Sequence, residues 1–288
     1  MKQWMRVVLV STLGLGGMNI VPVWGEKVEG DLQIKGSDTM VNLGQAFAEA
    51  FMQRYPQANI AVTGGGSGTG IAAILNGTCE IAQSSREVKP KELEDAKKLG
   101  FEMIQTEVGI DALAVIVHPA NSVSQLTISQ LSDIFTGKIK NWSAVGGTQG
   151  MFLVLSRERN SGTHAYFLEH VVRKENASGS EEFAASVLMM LSSQAIIEEV
   201  RQNPSAIGYV GMGYLTTTVK AIAVANDPNG PYVLPELEGA QKGEYPITRP
   251  LWFLTRGQPQ GLIKTFIAFV LSDEGQKIVR DTDFVPLK

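Results

Sequence analysis

Asp31-Leu32-Gln33-Ile34-Lys35 runs into Gly36-Ser37-Asp38-Thr39 and then into Met40-Val41-Asn42-Leu43-Gly44-Gln45-Ala46-Phe47. The first five residues alternate polar and apolar, the period of a strand with one buried face. Over 40–54 the apolar positions Val41, Leu43, Ala46, Phe47, Ala50 and Phe51 follow the period of an amphipathic helix, which Tyr55-Pro56 ends. A strand that feeds a helix through a short Gly/Ser/Thr loop is the repeating unit of an α/β sheet.

The unit recurs along the chain. Residues 59–63 read as a strand and 70–75 as a helix stopped by Asn76-Gly77. Residues 80–83 read as a short strand, and 91–99 as an exposed helix stopped by Gly100. The run 111–117, Asp-Ala-Leu-Ala-Val-Ile-Val, is nearly continuous apolar, as in a strand buried on both faces, and His118-Pro119 closes it. Segments 128–135, 152–156, 163–173, 183–191, 193–201 and 207–210 continue the alternation. The Pro- and Gly-rich stretch 226–243 reads as a loop, 249–255 as a second strongly apolar strand, and 261–271 and 273–280 as terminal helices. The pattern predicts an α/β architecture with mainly parallel pairing and ligand loops at the C-terminal ends of strands. The two apolar strands are candidates for segments that cross between two lobes, with a site in the cleft.

The chain has 288 residues, 44% of them hydrophobic, enough for about two compact units. The net charge of −4 argues against nucleic acid or an anionic membrane surface as partner. Lys2 and Arg6 precede a mostly apolar run over 7–21, the composition of a secretory signal peptide with cleavage near Gly25-Glu26. The only cysteine, Cys79, lies far from that point, so it forms neither a lipid anchor there nor an internal disulfide. The expected mature protein is therefore extracytoplasmic and periplasmic, and rests on its core.

Three loops share one composition: Gly36-Ser37-Asp38-Thr39, Gly64-Gly65-Gly66-Ser67-Gly68-Thr69-Gly70, and Arg157-Glu158-Arg159-Asn160-Ser161-Gly162-Thr163. Each lies where an apolar run gives way to a helical pattern. Unpaired N–H groups of a first helical turn, hydroxyl donors and glycines that admit an oxyanion make such a loop an anion site. Three of them can converge on one small, multiply charged oxyanion. The 64–70 loop lacks the Lys of a nucleotide-binding P-loop, finds no Gly-x-Gly-x-x-Gly register, and breaks the serine-hydrolase elbow at Thr69. Arg157 is the well-placed cation, suited to hold two oxyanion oxygens at once. Asp38 fits two roles equally, acceptor for a protonated oxyanion or helix cap, and Asp111 is a weaker acceptor candidate. The histidines His118, His164 and His170 form no metal-ligand spacing, and no nucleophile signature accompanies them. No catalytic residue, metal or cofactor is expected.

Over about 30–288 the chain resembles the periplasmic phosphate-binding proteins of bacterial high-affinity phosphate ABC transporters. The resemblance rests on Gly-Ser-Asp-Thr-Met at 36–40, the 64–70 loop, Ser-Ser-Arg at 84–86 and Arg-x-x-Asn-Ser-Gly-Thr at 157–163. Gly-Tyr-Val-Gly at 208–211, Tyr-Pro-Ile-Thr-Arg-Pro-Leu at 245–251 and Phe-Val-Pro-Leu at 284–287 add to it. It implies a two-lobed class II periplasmic-binding-protein fold with the ligand in the interlobe cleft. Its expected divisions are a signal peptide at 1–25, lobe 1 at 26–112, lobe 2 at 113–249 and a return to lobe 1 at 250–288. Ser37, Asp38, Thr39 and the Met40 N–H would bind phosphate from the first loop and Ser67 from the second. Arg157, Ser161, Gly162 and Thr163 would bind it from the other lobe. Ser85, with Ser84 and Arg86 beside it, takes a position where much of the family carries the Asp that accepts the phosphate proton. Some members place an acid two residues after the binding Arg; here that residue is Arg159. The resemblance implies a monomeric, non-enzymatic protein that passes inorganic phosphate to an inner-membrane ABC permease. A different oxyanion (sulfate, molybdate, tungstate or a phosphonate) and a secreted phosphatase are the alternatives.

Overall fold

A computed structural model describes residues 28–148, 150–176 and 179–287; the expected signal segment lies outside the described residues. In chain order the main elements are β1 (Gly30–Gly36), α1 (Val41–Arg54), β2 (Ala58–Gly65), α2 (Ser67–Asn76), β3 (Ile81–Ser84), α3 (Pro90–Lys98), β4 (Met103–Val117), β5 (Gln125–Thr127), α4 (Ile128–Phe135) and β6 (Leu153–Arg157). Then follow α5 (Gly162–Phe167), β7 (Leu188–Met190), α6 (Ser193–Gln202), β8 (Ala206–Gly211), β9 (Lys220–Ala221), β10 (Ala223–Ala225), α7 (Leu237–Gln241), β11 (Thr248–Arg256), α8 (Gly261–Val270) and α9 (Asp273–Asp281).

One nine-stranded sheet runs through the molecule in the order β2-β1-β3-β11-β4-β8-β6-β7, with β9 also on β4. Strand β4 joins its two halves. From Met103 to Ala112 it pairs with β11, and from Leu113 to Val117 it pairs with β8. The fold is two-lobed around this strand. One hydrophobic core runs from Phe47 and Phe51 past Ala112 and Leu113 to Phe135, Phe167 and Tyr209.

The outer strands pair in parallel, β1 with β2 and β3, and β6 with β7 and β8. The middle departs from the expected parallel pairing: β11 lies antiparallel to both β3 and β4, and β4 antiparallel to β8. The physical reason is directional. The chain runs outward along β4 and comes back along β11, so the two strands run in opposite senses. Strand β11 pairs along its whole length with the first part of β4, so the return is made just before it, where Leu113 N–H bonds Ile247 O at 2.8 Å.

Several elements differ from the sequence patterns. Helix α2 begins at Ser67 rather than at Gly70, because Gly66, at φ 93°, turns the chain directly out of β2. Strand β4 begins at Met103, well before the apolar run, because it pairs with β11 from there on; exposed Gln105 breaks the apolar pattern of that first part. The loop at 226–243 holds the short helix α7. After α5 the helix widens into a π turn over Leu168–Val172.

Candidate functional site

The sheet brings the first two loops together. Gly36 ends β1, Gly65 ends β2 and Ser84 ends β3, three adjacent parallel strands, so 36–39, 66–67 and 85 lie side by side at one sheet edge. Gly36 permits this closeness: at φ 141° it leaves no room for a Cβ, which would stand 2.2 Å from Gln83 O. Ser37 Oγ donates to Ser85 Oγ at 2.8 Å, Ser67 Oγ accepts from Ser85 N–H at 3.0 Å, and the Ser67 and Ser85 hydroxyls are 3.4 Å apart. All three serines are buried.

The other lobe faces them with the N-terminus of α5. Ser161 caps that helix, its Oγ accepting from the Thr163 and His164 N–H groups at 3.1 and 3.4 Å. Gly162 presses against the serines: a Cβ there would stand 2.3 Å from Ser67 Oγ and 2.7 Å from Ser85 Oγ. Thr163 Oγ1 meets Thr39 Oγ1 at 2.8 Å across the cleft. Ser37, Thr39, Ser67, Ser85, Gly162 and Thr163 thus form one buried cluster of hydroxyls and backbone. The Met40 N–H points to Ser37 O at 3.1 Å.

Two guanidiniums border the cluster. Arg157, 2% exposed, donates from Nη1 to Asp38 Oδ2 at 3.0 Å and to Ser193 Oγ at 2.9 Å, from Nη2 to Leu191 O at 2.9 Å, and from Nε to Met190 O at 3.3 Å. Asp38 also accepts from Ser193 N–H at 2.9 Å. Its carboxylate is therefore turned to Arg157 and α6 rather than to the serines, and its side chain does not cap α1. Arg86, beside Ser85, forks onto Glu92 of α3 at 2.9 and 2.7 Å.

The sequence patterns missed the second guanidinium. Arg249 of β11, 1% exposed, donates from Nε and Nη2 to Asp111 Oδ2 at 3.0 and 2.7 Å. Its Nη2 also reaches Thr163 Oγ1 at 3.0 Å and Thr39 Oγ1 at 3.3 Å. Burial pushes the Asp111 carboxyl up and the Arg249 guanidinium down, each opposed by the partner's charge. A guanidinium does not lose its proton in a protein, so the pair stays ionic. The one available signal was an arginine inside the apolar run 249–255. With Arg157–Asp38 and Arg249–Asp111 both paired, the charges at the cluster balance formally. An anion would be held by aligned N–H and O–H donors more than by net charge.

Further bonds cross the cleft. Asn160 O accepts from Gly68 N–H at 2.9 Å, while Asn160 Nδ2 donates to Gly65 O at 2.9 Å. Tyr214 donates to Asp38 O at 2.8 Å. Among the described residues no group of three or more His, Cys, Asp or Glu could hold a metal ion, and no helix is long and apolar enough to cross a membrane.

A profile of the PBP superfamily domain matches residues 25–274. The phosphate-binding protein PstS of Bacillus subtilis is 35% identical over 263 residues, covering 91% of this chain and 82% of that protein. The PstS of Pseudomonas aeruginosa is 32% identical over 277 residues, covering 90% of this chain and 84% of that one. Among solved structures, a substrate-binding protein ascribed to a phosphate ABC transporter of Clostridium perfringens, with bound phosphate, superposes with a TM-score of 0.80 at 32% identity over 90% of this chain and 100% of its own. An ABC-type phosphate transport receptor of Vibrio cholerae follows with a TM-score of 0.70 at 28% identity over 88% of this chain and 99% of its own. The chain belongs to the PBP superfamily and, within it, to the family of the bacterial PstS phosphate-binding proteins.

Proposed function

We propose that this protein binds inorganic phosphate in the interlobe cleft and delivers it to an inner-membrane ABC permease. The observation that carries the reading is the buried cluster itself. Hydroxyls of Ser37, Thr39, Ser67 and Ser85 meet Thr163 and Gly162 of the facing lobe, beside two guanidiniums. Such a cluster fits one small tetrahedral oxyanion stripped of water and surrounded by donors.

In this reading Ser37, Thr39, Met40, Ser67 and Ser85 contact phosphate from one lobe and Ser161, Gly162 and Thr163 from the other. The hydroxyl hydrogen of Ser161 is available to the ligand because its oxygen caps α5. Arg157 and Asp38 border the ligand as well, and their ion pair brings the two sides together. The lobes part along β4 between Ala112 and Leu113 and rejoin near Thr248–Arg249, where the ladder of β4 passes from β11 to β8. The protein acts outside the cytoplasm after losing 1–25, as a monomer, and its role is capture rather than catalysis. Closure of the lobes is the signal the permease reads.

Calorimetric titration of purified protein, unfolded and refolded to strip carried-over ligand, tests this. One-to-one, tight phosphate binding without a sulfate response is the expected result. Binding of sulfate or molybdate in its place overturns the ligand, and steady release of phosphate from a chromogenic ester overturns the non-catalytic role.

A further inference from the structure

Arg249 and Arg157 both stand beside the hydroxyl cluster, but their donors are spent differently. Four of the five N–H groups of Arg157 bond within the protein, to Met190 O, Leu191 O, Ser193 Oγ and Asp38. Arg249 uses only Nε and Nη2 in hydrogen bonds among the described residues. Its Nε and Nη2 bond Asp111, which Met212 N–H anchors at 3.1 Å, and Nη2 also spans Thr39 and Thr163 from opposite lobes. Its Nη1 is buried with no hydrogen-bond partner among the described residues.

A buried cationic N–H without an acceptor is costly, so native proteins rarely leave one. Nη1 and Nη2 share the outer edge of a planar fork, the edge that binds two oxygens of a carboxylate or phosphate. Here Nη2 already points at two hydroxyls of the cluster. The neighbouring Nη1 is therefore aimed at the place where an oxyanion among those hydroxyls would present an oxygen. A cavity of about 370 Å³ borders Arg249 on another side, lined in part by Lys89, Tyr166 and His170 and by the carboxylates of Glu87 and Glu169.

We infer that Arg249 is a ligand-contacting residue of the oxyanion site, donating from Nη1, with Asp111 as the positioning residue that holds its fork in place. The inference rests on the oxyanion reading above and adds a contact from β11 to the one that the loop motifs place on Arg157.

Two measurements test it. In a crystal structure of the wild-type protein grown with phosphate, Arg249 Nη1 should lie within about 3.2 Å of a phosphate oxygen. A separation beyond about 4 Å overturns the inference whatever the variants do. Arg249→Lys keeps a cation beside Asp111 but offers no second nitrogen, and it should weaken phosphate binding by about thirtyfold or more while circular dichroism stays unchanged. A folded Arg249→Lys protein that binds phosphate within about threefold of wild type also overturns it. A wild-type protein that takes sulfate in place of phosphate defeats the functional reading alone. The same two measurements made with sulfate then decide Arg249.

Discussion

Arg157 on β6 and Asp38 in the loop after β1, 119 residues apart, meet at 3.0 Å across the cleft, and Ser193 N–H of α6 binds the same carboxylate oxygen. The arginine is buried and Asp38 only partly so, which makes this a shielded pair rather than a surface one. In the proposed two-lobed closure its partners lie on opposite sides of the cleft, so the pair would form only when the lobes meet. Asp38→Ala should leave each lobe folded and weaken closure. Phosphate affinity should fall about tenfold, equal to about 1.4 kcal/mol, with most of the change in the dissociation rate. Stopped-flow release of phosphate is the check, and an unchanged dissociation rate removes Asp38 from closure.

Gly162 offers a steric test of the same approach. A Cβ at this position would stand 2.3 Å from Ser67 Oγ and 2.7 Å from Ser85 Oγ, both in the opposite lobe and both buried. Alanine is a good helix residue at the first turn of α5, so Gly162→Ala should fold normally. It should nevertheless hold the lobes apart and lower phosphate affinity by about a hundredfold or more. Small-angle scattering at saturating phosphate should give a larger radius for the variant than for wild type. Equal radii and equal affinity would show that the serines yield to the methyl group.

The strand–loop–helix units were legible because each carries its own period. Leu32 and Ile34 alternate into the core, Val41 to Phe51 switch to the helical period, and Pro56 ends the helix. The hydroxyl loops were legible for the same reason, since a loop between a strand and a helix has a known place at the sheet edge. The first part of β4 was not legible: with Gln105 open to solvent, its apolar signal is diluted until Val108. The two ion pairs were not legible either. Asp38 pairs with Arg157 and Asp111 with Arg249, 119 and 138 residues away, and no local pattern records which acid meets which base. Arg249 sits in an apolar strand where a charged residue usually marks an exposed edge, but β11 is a central strand of the sheet.

Ser85 bears on selectivity. Its hydroxyl lies 2.8 Å from Ser37 Oγ and 3.4 Å from Ser67 Oγ, inside the cluster, where a hydroxyl can donate to any oxyanion. A carboxylate at the same position accepts a hydrogen bond from a protonated phosphate and repels an ion that has no proton to share. Ser85→Asp should therefore lower the ratio of sulfate to phosphate affinity at least about tenfold relative to wild type. It should also shift phosphate binding toward lower pH, where the singly charged ion prevails. Competition calorimetry at pH 6 and pH 8 measures both effects. A ratio unchanged by the substitution would mean that position 85 does not face the ligand.

His164 should make stability fall as the pH drops below about 6.5. Its ring is buried next to Thr163, 3.2 Å through Nδ1 from Ser156 Oγ and 4.7 Å from the Phe183 ring. Burial, the largest influence, lowers its pKa below the ordinary 6.5, so the folded protein favours the neutral ring more than the unfolded chain does. Above about pH 6.5 folded and unfolded chains both hold it neutral and it contributes no pH dependence. As the pH falls below that value the unfolded chain takes up a proton that the folded chain refuses. Stability then declines by up to about 1.4 kcal/mol per pH unit until the folded ring titrates as well. Glu92 acts in a separate window. Burial tends to raise its carboxyl, but bonds from Arg86 and from Lys89 N–H outweigh this and lower it, so its stabilisation is lost only below the ordinary Glu range. Urea unfolding midpoints measured from pH 8 to pH 5 should fall for wild type below about pH 6.5 and stay nearly level for His164→Gln, whose amide has no proton to gain. Parallel declines in the two proteins would place the titrating group elsewhere.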